Sequence, residues 1–204
     1  MVELDSLKKN IDKLLKKQLI SGKIFLDKLG FIDENSRKTV AYTDPNYVPF
    51  YYYLGKFIKP ISFLSLNFSL GLLESCFFKS CKSVEYFYGF HQKNKDYYSI
   101  RIGNKNLGFK KNKKIYIGDF RDDNFNKDVE NSWDLVLINE ELSYDRYLEY
   151  LEFIWPYLNE NGLIICENIC YDSAGKNAFI SFSESINRKP VIFHTRYGTG
   201  ILQK

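Results

Sequence analysis

Trp133-Asp-Leu-Val-Leu-Ile-Asn-Glu-Glu-Leu-Ser-Tyr-Asp145 is the stretch that decides the fold. It opens on an apolar run ending at Ile138 and breaks into a polar cluster, the pattern of a strand buried on both faces that runs into a loop. Helical periodicity follows from Tyr144 to Leu158, through Tyr147, Leu148, Leu151, Ile154 and Trp155. Asn161-Gly162 supplies a stop for that helix, and a second apolar run, Leu163 to Cys166, comes next. Two buried strands joined by a helix pair in parallel through a right-handed crossover.

The same rhythm extends in both directions. Upstream, Ile61 to Leu66 reads as a strand, Leu70 to Cys81 as a helix, Val84 to Phe90 as a strand and Ile115 to Ile117 as another. Downstream, Ala174 to Ile186 reads as a helix, and Val191 to Leu202 as two strands joined near Arg196 to Gly198. The expectation is an α/β fold: a mostly parallel sheet with helices on both faces and a C-terminal antiparallel hairpin. Ligands of such sheets bind beyond the carboxyl ends of the strands, where the strand order reverses.

Ahead of this domain, taken as residues 45–204, stands a segment of different character, residues 1–44. Leu4, Leu7, Ile11 and Leu14 fall at helical spacing among Lys8, Lys9, Lys13, Lys16 and Lys17, predicting an amphipathic helix over 3–20 that Gly22 ends. Its apolar stripe is too short for an independent coiled coil, so it should pack on its own domain or on a neighbouring subunit or assembly partner. A membrane surface is the weaker reading. Residues 30–44 read as a connector, and Asp44-Pro45 starts a further helix carrying Tyr47, Phe50, Tyr51, Leu54 and Phe57.

Composition narrows the function classes. With 45% hydrophobic and 26% charged residues among 204, the chain has the makeup of a globular domain and not of a disordered tail. No apolar run is long enough to span a bilayer, and the acidic start Met1-Val2-Glu3-Leu4-Asp5 lacks the pattern of a secretory leader. A net charge of +4 is too small to demand a nucleic-acid partner. Cys76, Cys81, Cys166 and Cys170 lack the short spacing of zinc sites and read as reduced, buried residues, so a cytoplasmic setting is expected. Many Tyr and Phe, a single Met and recurrent Lys, Asn and Ile are the lexicon of an AT-rich genome, bacterial, phage or viral. Lys105, Lys110, Lys111, Lys113 and Lys114 therefore read as a solvated loop.

In order and spacing, these landmarks resemble the class I S-adenosylmethionine-dependent methyltransferases, with their Rossmann-like fold. The opening stretch is similar to that family's fourth strand and its "DLVFIDGDHSY" pattern, and Trp155 to Asn168 to the helix, turn and fifth strand that follow. The resemblance implies an S-adenosylmethionine site and methyl transfer to an acceptor, small molecule or macromolecule. It departs from the family at the first strand, where Ser65 stands in place of an acid and Asn67 and Ser69 stand in place of glycines; Gly71 alone is kept. Asn tolerates the left-handed conformation that glycine would supply. By the resemblance, Asn67, Ser69 and Gly71 line the methionine end of the cofactor, His91 or Gln92 the ribose, and Asp119 with Phe120 the adenine, with Asn139 at the end of the fourth strand. Glu141 and His91, read as loop residues, are the general-base candidates. Glu167 and Asn168 match a pair that holds a divalent ion in catechol-type members, and would suit Mg²⁺. His194 is expected to pack within a strand. The rival reading is a non-catalytic protein of the same fold with a structural or assembly role, for example in a viral particle.

Overall fold

Alternation along each central strand sets the layers. In the computed structural model, which describes residues 3–17, 47–68, 71–92, 97–108, 111–118, 127, 132–140, 142–195 and 197–204, with the backbone alone at 14–17, 47–48, 92, 97–100 and 102, the elements in chain order are α1 (Leu4–Lys17), α2 (Tyr47–Ile58), β1 (Ser62–Leu66), α3 (Leu72–Ser80), β2 (Tyr86–Gln92), α4 (Tyr97–Leu107), β3 (Asn112–Gly118), β4 (Trp133–Ile138), α5 (Tyr144–Ile154), β5 (Leu158–Glu167), α6 (Ser173–Ser185), β6 (Val191–Phe193) and β7 (Thr199–Gln203). Among the described residues the strands form a seven-stranded sheet in the order β3-β2-β1-β4-β5-β7-β6. β1 to β5 pair in parallel, and β7 runs antiparallel to both β5 and β6. The expected hairpin is present, and the order reverses between β1 and β4.

Phe63, Leu135, Leu137 and Ile165 face one side, where Leu7 and Ile11 of α1, Phe50 and Leu54 of α2 and Phe77 of α3 close over them. Leu64, Leu66, Val136, Ile138 and Ile164 face the other, against Tyr147, Tyr150 and Leu151 of α5 and Phe179 and Phe182 of α6. Burial on both faces is why these strands read as continuous apolar runs. Leu7 and Ile11 are buried within this chain, and Lys8 sets its Nζ 5.2 Å from the centroid of the Phe193 ring, so α1 packs on its own domain. No helix among the described residues is long and apolar enough to cross a membrane.

Several boundaries differ from expectation for physical reasons. β2 starts later and runs two residues further, to Gln92, because His91 and Gln92 pair in register with Ile117 and Gly118. β3 takes in Lys113 and Lys114, which the sequence places in a loop; on an edge strand, lysine guards an open row of hydrogen-bonding groups. β5 begins at Leu158, since Asn161 adopts φ 67° inside an irregular strand start and does not end the preceding helix. α4 was not expected at all. His194 is exposed just beyond β6, and Cys170 is exposed while the other three cysteines are buried; all four are free thiols. The expected connector, residues 30–44, lies outside the described residues.

Candidate functional site

At the switch point, the ends of β1, β2 and β4 are tied together by their own backbone. Phe68 N–H donates to Phe90 O at 2.9 Å, and Asn139 N–H donates to Leu66 O at 3.2 Å. Asn67 leaves β1 with φ 60°, the left-handed conformation that its position requires, and its Nδ2 donates to Asn139 O at 2.7 Å. Asn67 is only 7% exposed, and among the described residues its Oδ1 is buried without a hydrogen-bond partner. A buried amide oxygen left unpaired costs free energy.

Gly71 caps α3 with φ 67°. A Cβ there would lie 2.8 Å from the Phe68 ring and 2.9 Å from Gly103 O, so both conformation and space demand glycine. Phe68 turns inward, fully buried, with its ring centroid 5.6 Å from that of Phe87 and 5.0 Å from that of His91.

Beneath this turn lies a pair the sequence reading missed. Ser65 Oγ donates to Glu74 Oε1 at 2.5 Å, with Ser65 fully buried and Glu74 only 2% exposed. Burial pushes the Glu74 carboxyl up to about 7, against the opposing pull of the Ser65 hydroxyl and a backbone N–H. The signal was an acid three residues after Gly71 and a serine where an acid was looked for; neither means anything until the helix folds back on the strand.

His91 needs correction. Read as a loop residue, it is instead the penultimate residue of β2, on the same side of the strand as Phe87 and Gly89, and it is fully buried. Gln92, the last residue of β2, stands at the rim. Asn139 is half-buried beside Asn67. Ser69, Asp119, Phe120 and Glu141 lie outside the described residues.

The pair considered for a divalent ion is engaged within the protein. Glu167 is 4% exposed and accepts from Thr199 Oγ1 at 2.8 Å, and burial pushes its carboxyl up to about 8. Asn168 is half-buried with φ 60° and turns the chain, its carbonyl accepting from Tyr171 N–H at 3.0 Å. No group of three or more His, Cys, Asp or Glu able to hold a metal occurs among the described residues. At the opposite edge of the sheet a cleft of about 370 Å³ is lined by Ile61, Tyr86, Tyr88 and Asp134. There the Asp134 carboxylate is engaged by Ile61 N–H, Ser62 N–H and Asn159 Nδ2, so it fastens strand ends.

No family model matches the chain, and no curated protein sequence is significantly similar to it. Solved structures are. A Staphylococcus aureus protein described as a candidate caffeoyl-CoA O-methyltransferase superimposes with a TM-score of 0.68 at 14% identity, covering 99% of this chain and 100% of that one. The Podospora anserina methyltransferase PaMTH1, bound to S-adenosylhomocysteine, gives 0.64 at 13% identity over 99% and 97%. TomG, an O-methyltransferase from Streptomyces achromogenes in complex with S-adenosylmethionine, gives 0.58 at 10% over 78% and 79%. The strand order, the terminal antiparallel strands and these superpositions together establish that the chain has the Rossmann-like fold of the class I methyltransferases.

Proposed function

We propose that this protein is an S-adenosylmethionine-dependent methyltransferase whose cofactor lies over the switch point between β1 and β4. The observation that carries the reading is the buried Oδ1 of Asn67, unpaired among the described residues, on one of two left-handed residues, Asn67 and Gly71, at the edge where ligands of this fold bind. The methionine end of the cofactor carries an ammonium group, a donor of the kind that oxygen lacks. Asn67 thus serves as more than a glycine substitute, since its side chain holds Asn139 with one atom and offers acceptance with the other. By the resemblance, Gln92 at the end of β2 is assigned to the ribose hydroxyls, and Asp119 and Phe120, next in sequence after β3, to the adenine.

When bound, the cofactor supplies an electrophilic methyl group on a sulfonium. The protein's part is to hold an acceptor in line with it, which is worth more than any single proton transfer. With His91 buried, Glu141 is left as the residue to take the acceptor's proton. Likeness to S-adenosylmethionine- and S-adenosylhomocysteine-bound structures supports this reading over an assembly role, and Leu7 and Ile11 of α1 are covered within the chain and offer a partner nothing.

The test is thermal unfolding with S-adenosylhomocysteine. A ligand at a hundred times its dissociation constant stabilises by about 2.7 kcal/mol. For a chain of this size that raises Tm by roughly 5 to 10 °C. An unshifted Tm at millimolar ligand would contradict the proposal.

A further inference from the structure

Between β1 and α3 sits a carboxylate with no role in the site as described so far. Glu74 is in the first turn of α3, three residues after Gly71, and Ser65 is in β1, two residues before Asn67. Their 2.5 Å hydrogen bond therefore joins the two stems of the turn that carries both left-handed residues. The next residue, Ser75, adds a second tie on the helix side: its Oγ lies 2.5 Å from Gly71 O and 3.0 Å from Asn106 O and shares its one proton between the two carbonyls. The resemblance to the class I methyltransferases leads one to expect an acid in β1, where Ser65 stands. Here the hydroxyl is on the strand and the acid on the helix, facing each other across the same buried gap. Burying a carboxylate against one hydroxyl and one backbone N–H, with no cation paired to it among the described residues, is costly, and such groups concentrate where a protein needs them for function.

We propose that Glu74 is the positioning carboxylate of the cofactor turn, supplied from α3 in place of the acid β1 lacks, and that through Ser65 it sets Asn67 and Gly71 to receive the methionine end of S-adenosylmethionine. This rests on the methyltransferase reading above. Glu74 acts through Ser65 and the turn and touches no reacting atom.

Two probes separate this from a merely structural bond. S-adenosylhomocysteine has the methionine end, whereas 5′-methylthioadenosine keeps the nucleoside and lacks it. Calorimetric titration of the full chain with each, for the wild type and for Ser65→Ala and Glu74→Ala, should show affinity for S-adenosylhomocysteine falling about tenfold in either variant, as the turn loses its preorganisation. Affinity for 5′-methylthioadenosine should stay within about twofold. The double variant should bind no worse than either single one, because the pair acts as a unit. Exchanging the groups, Ser65→Glu with Glu74→Ser, should bring binding back to within about threefold of wild type. Ser65→Ala removes one oxygen only and keeps the test open if Glu74→Ala does not fold. Undiminished binding of S-adenosylhomocysteine by the single variants, an equal loss for both ligands, or an exchange variant no better than the single ones would overturn the proposal while leaving the methyltransferase reading intact. Failure of the wild type to bind S-adenosylhomocysteine would overturn both.

Discussion

Replacing Glu74 by glutamine should stabilise the protein several-fold more at pH 8, by about 3 kcal/mol, than at pH 5, where the gain is about 1 kcal/mol. The carboxyl is 2% exposed, and burial raises its pKa from 4.5 to about 7. Below pH 4.5 the acid is protonated in both the folded and the unfolded chain. Between pH 4.5 and 7 the unfolded chain gives up the proton and the folded one keeps it, so the folded state binds more protons and stability falls as pH rises. Above pH 7 both are ionised and the penalty is constant. At about 1.4 kcal/mol for each pH unit between the two values, that penalty reaches about 3 kcal/mol. Glutamine keeps an oxygen for the Ser65 hydroxyl and cannot ionise, so it resembles the protonated acid. Urea unfolding of wild type and Glu74→Gln at pH 5, 6, 7 and 8 gives the difference directly. Glu167, whose pKa burial raises to about 8, contributes a slope of its own to both proteins, and the difference between them removes it. A constant difference between the two proteins across this range, or a variant less stable than wild type at pH 8, would refute the reasoning.

Other substitutions follow from the same geometry. Asn67→Val should lower stability by about 2 kcal/mol in urea, from a β-branched residue forced into a left-handed conformation plus the lost bond to Asn139 O. Asn67→Gly should lose less than Asn67→Val, because the backbone strain is absent. Ile11→Ala should cost about 2 to 4 kcal/mol by the same measurement, since Ile11 is fully buried on the inner face of α1; a cost under 1 kcal/mol would mean that the helix does not pack on this sheet.

Wherever burial itself wrote the pattern, the fold was legible in the sequence. β1, β4 and β5 are covered on both faces and read as apolar runs, and the stripe of Leu4, Leu7 and Ile11 announced α1 and its buried side. α4 was illegible because Tyr-Tyr-Ser-Ile-Arg-Ile-Gly-Asn-Lys-Asn-Leu mixes β-branched residues, a glycine and two asparagines, none of which favours a helix. The charged start of β3 hid an edge strand, and Asn161-Gly162 mimicked a helix stop inside a strand.

Within the site, Asn67 and Gly71 were legible because left-handed backbone restricts the residue type, and both positions bear it out. His91 was misplaced because a polar residue after Phe90 reads as a loop, whereas strand pairing with Ile117 carries it into the core. Glu74 was illegible because its partner lies nine residues back, and only the packing of α3 on β1 brings the two together.

The central claim is that the edge of the sheet over Asn67 and Gly71 binds S-adenosylmethionine, and calorimetric titration of the full chain at 25 °C with S-adenosylhomocysteine tests it most directly. The account predicts one site per chain with a dissociation constant in the micromolar range, about −8 kcal/mol, weakened in Asn67→Leu, which removes the Oδ1 acceptor. Absence of binding heat up to millimolar ligand, with the protein folded by circular dichroism, would contradict it.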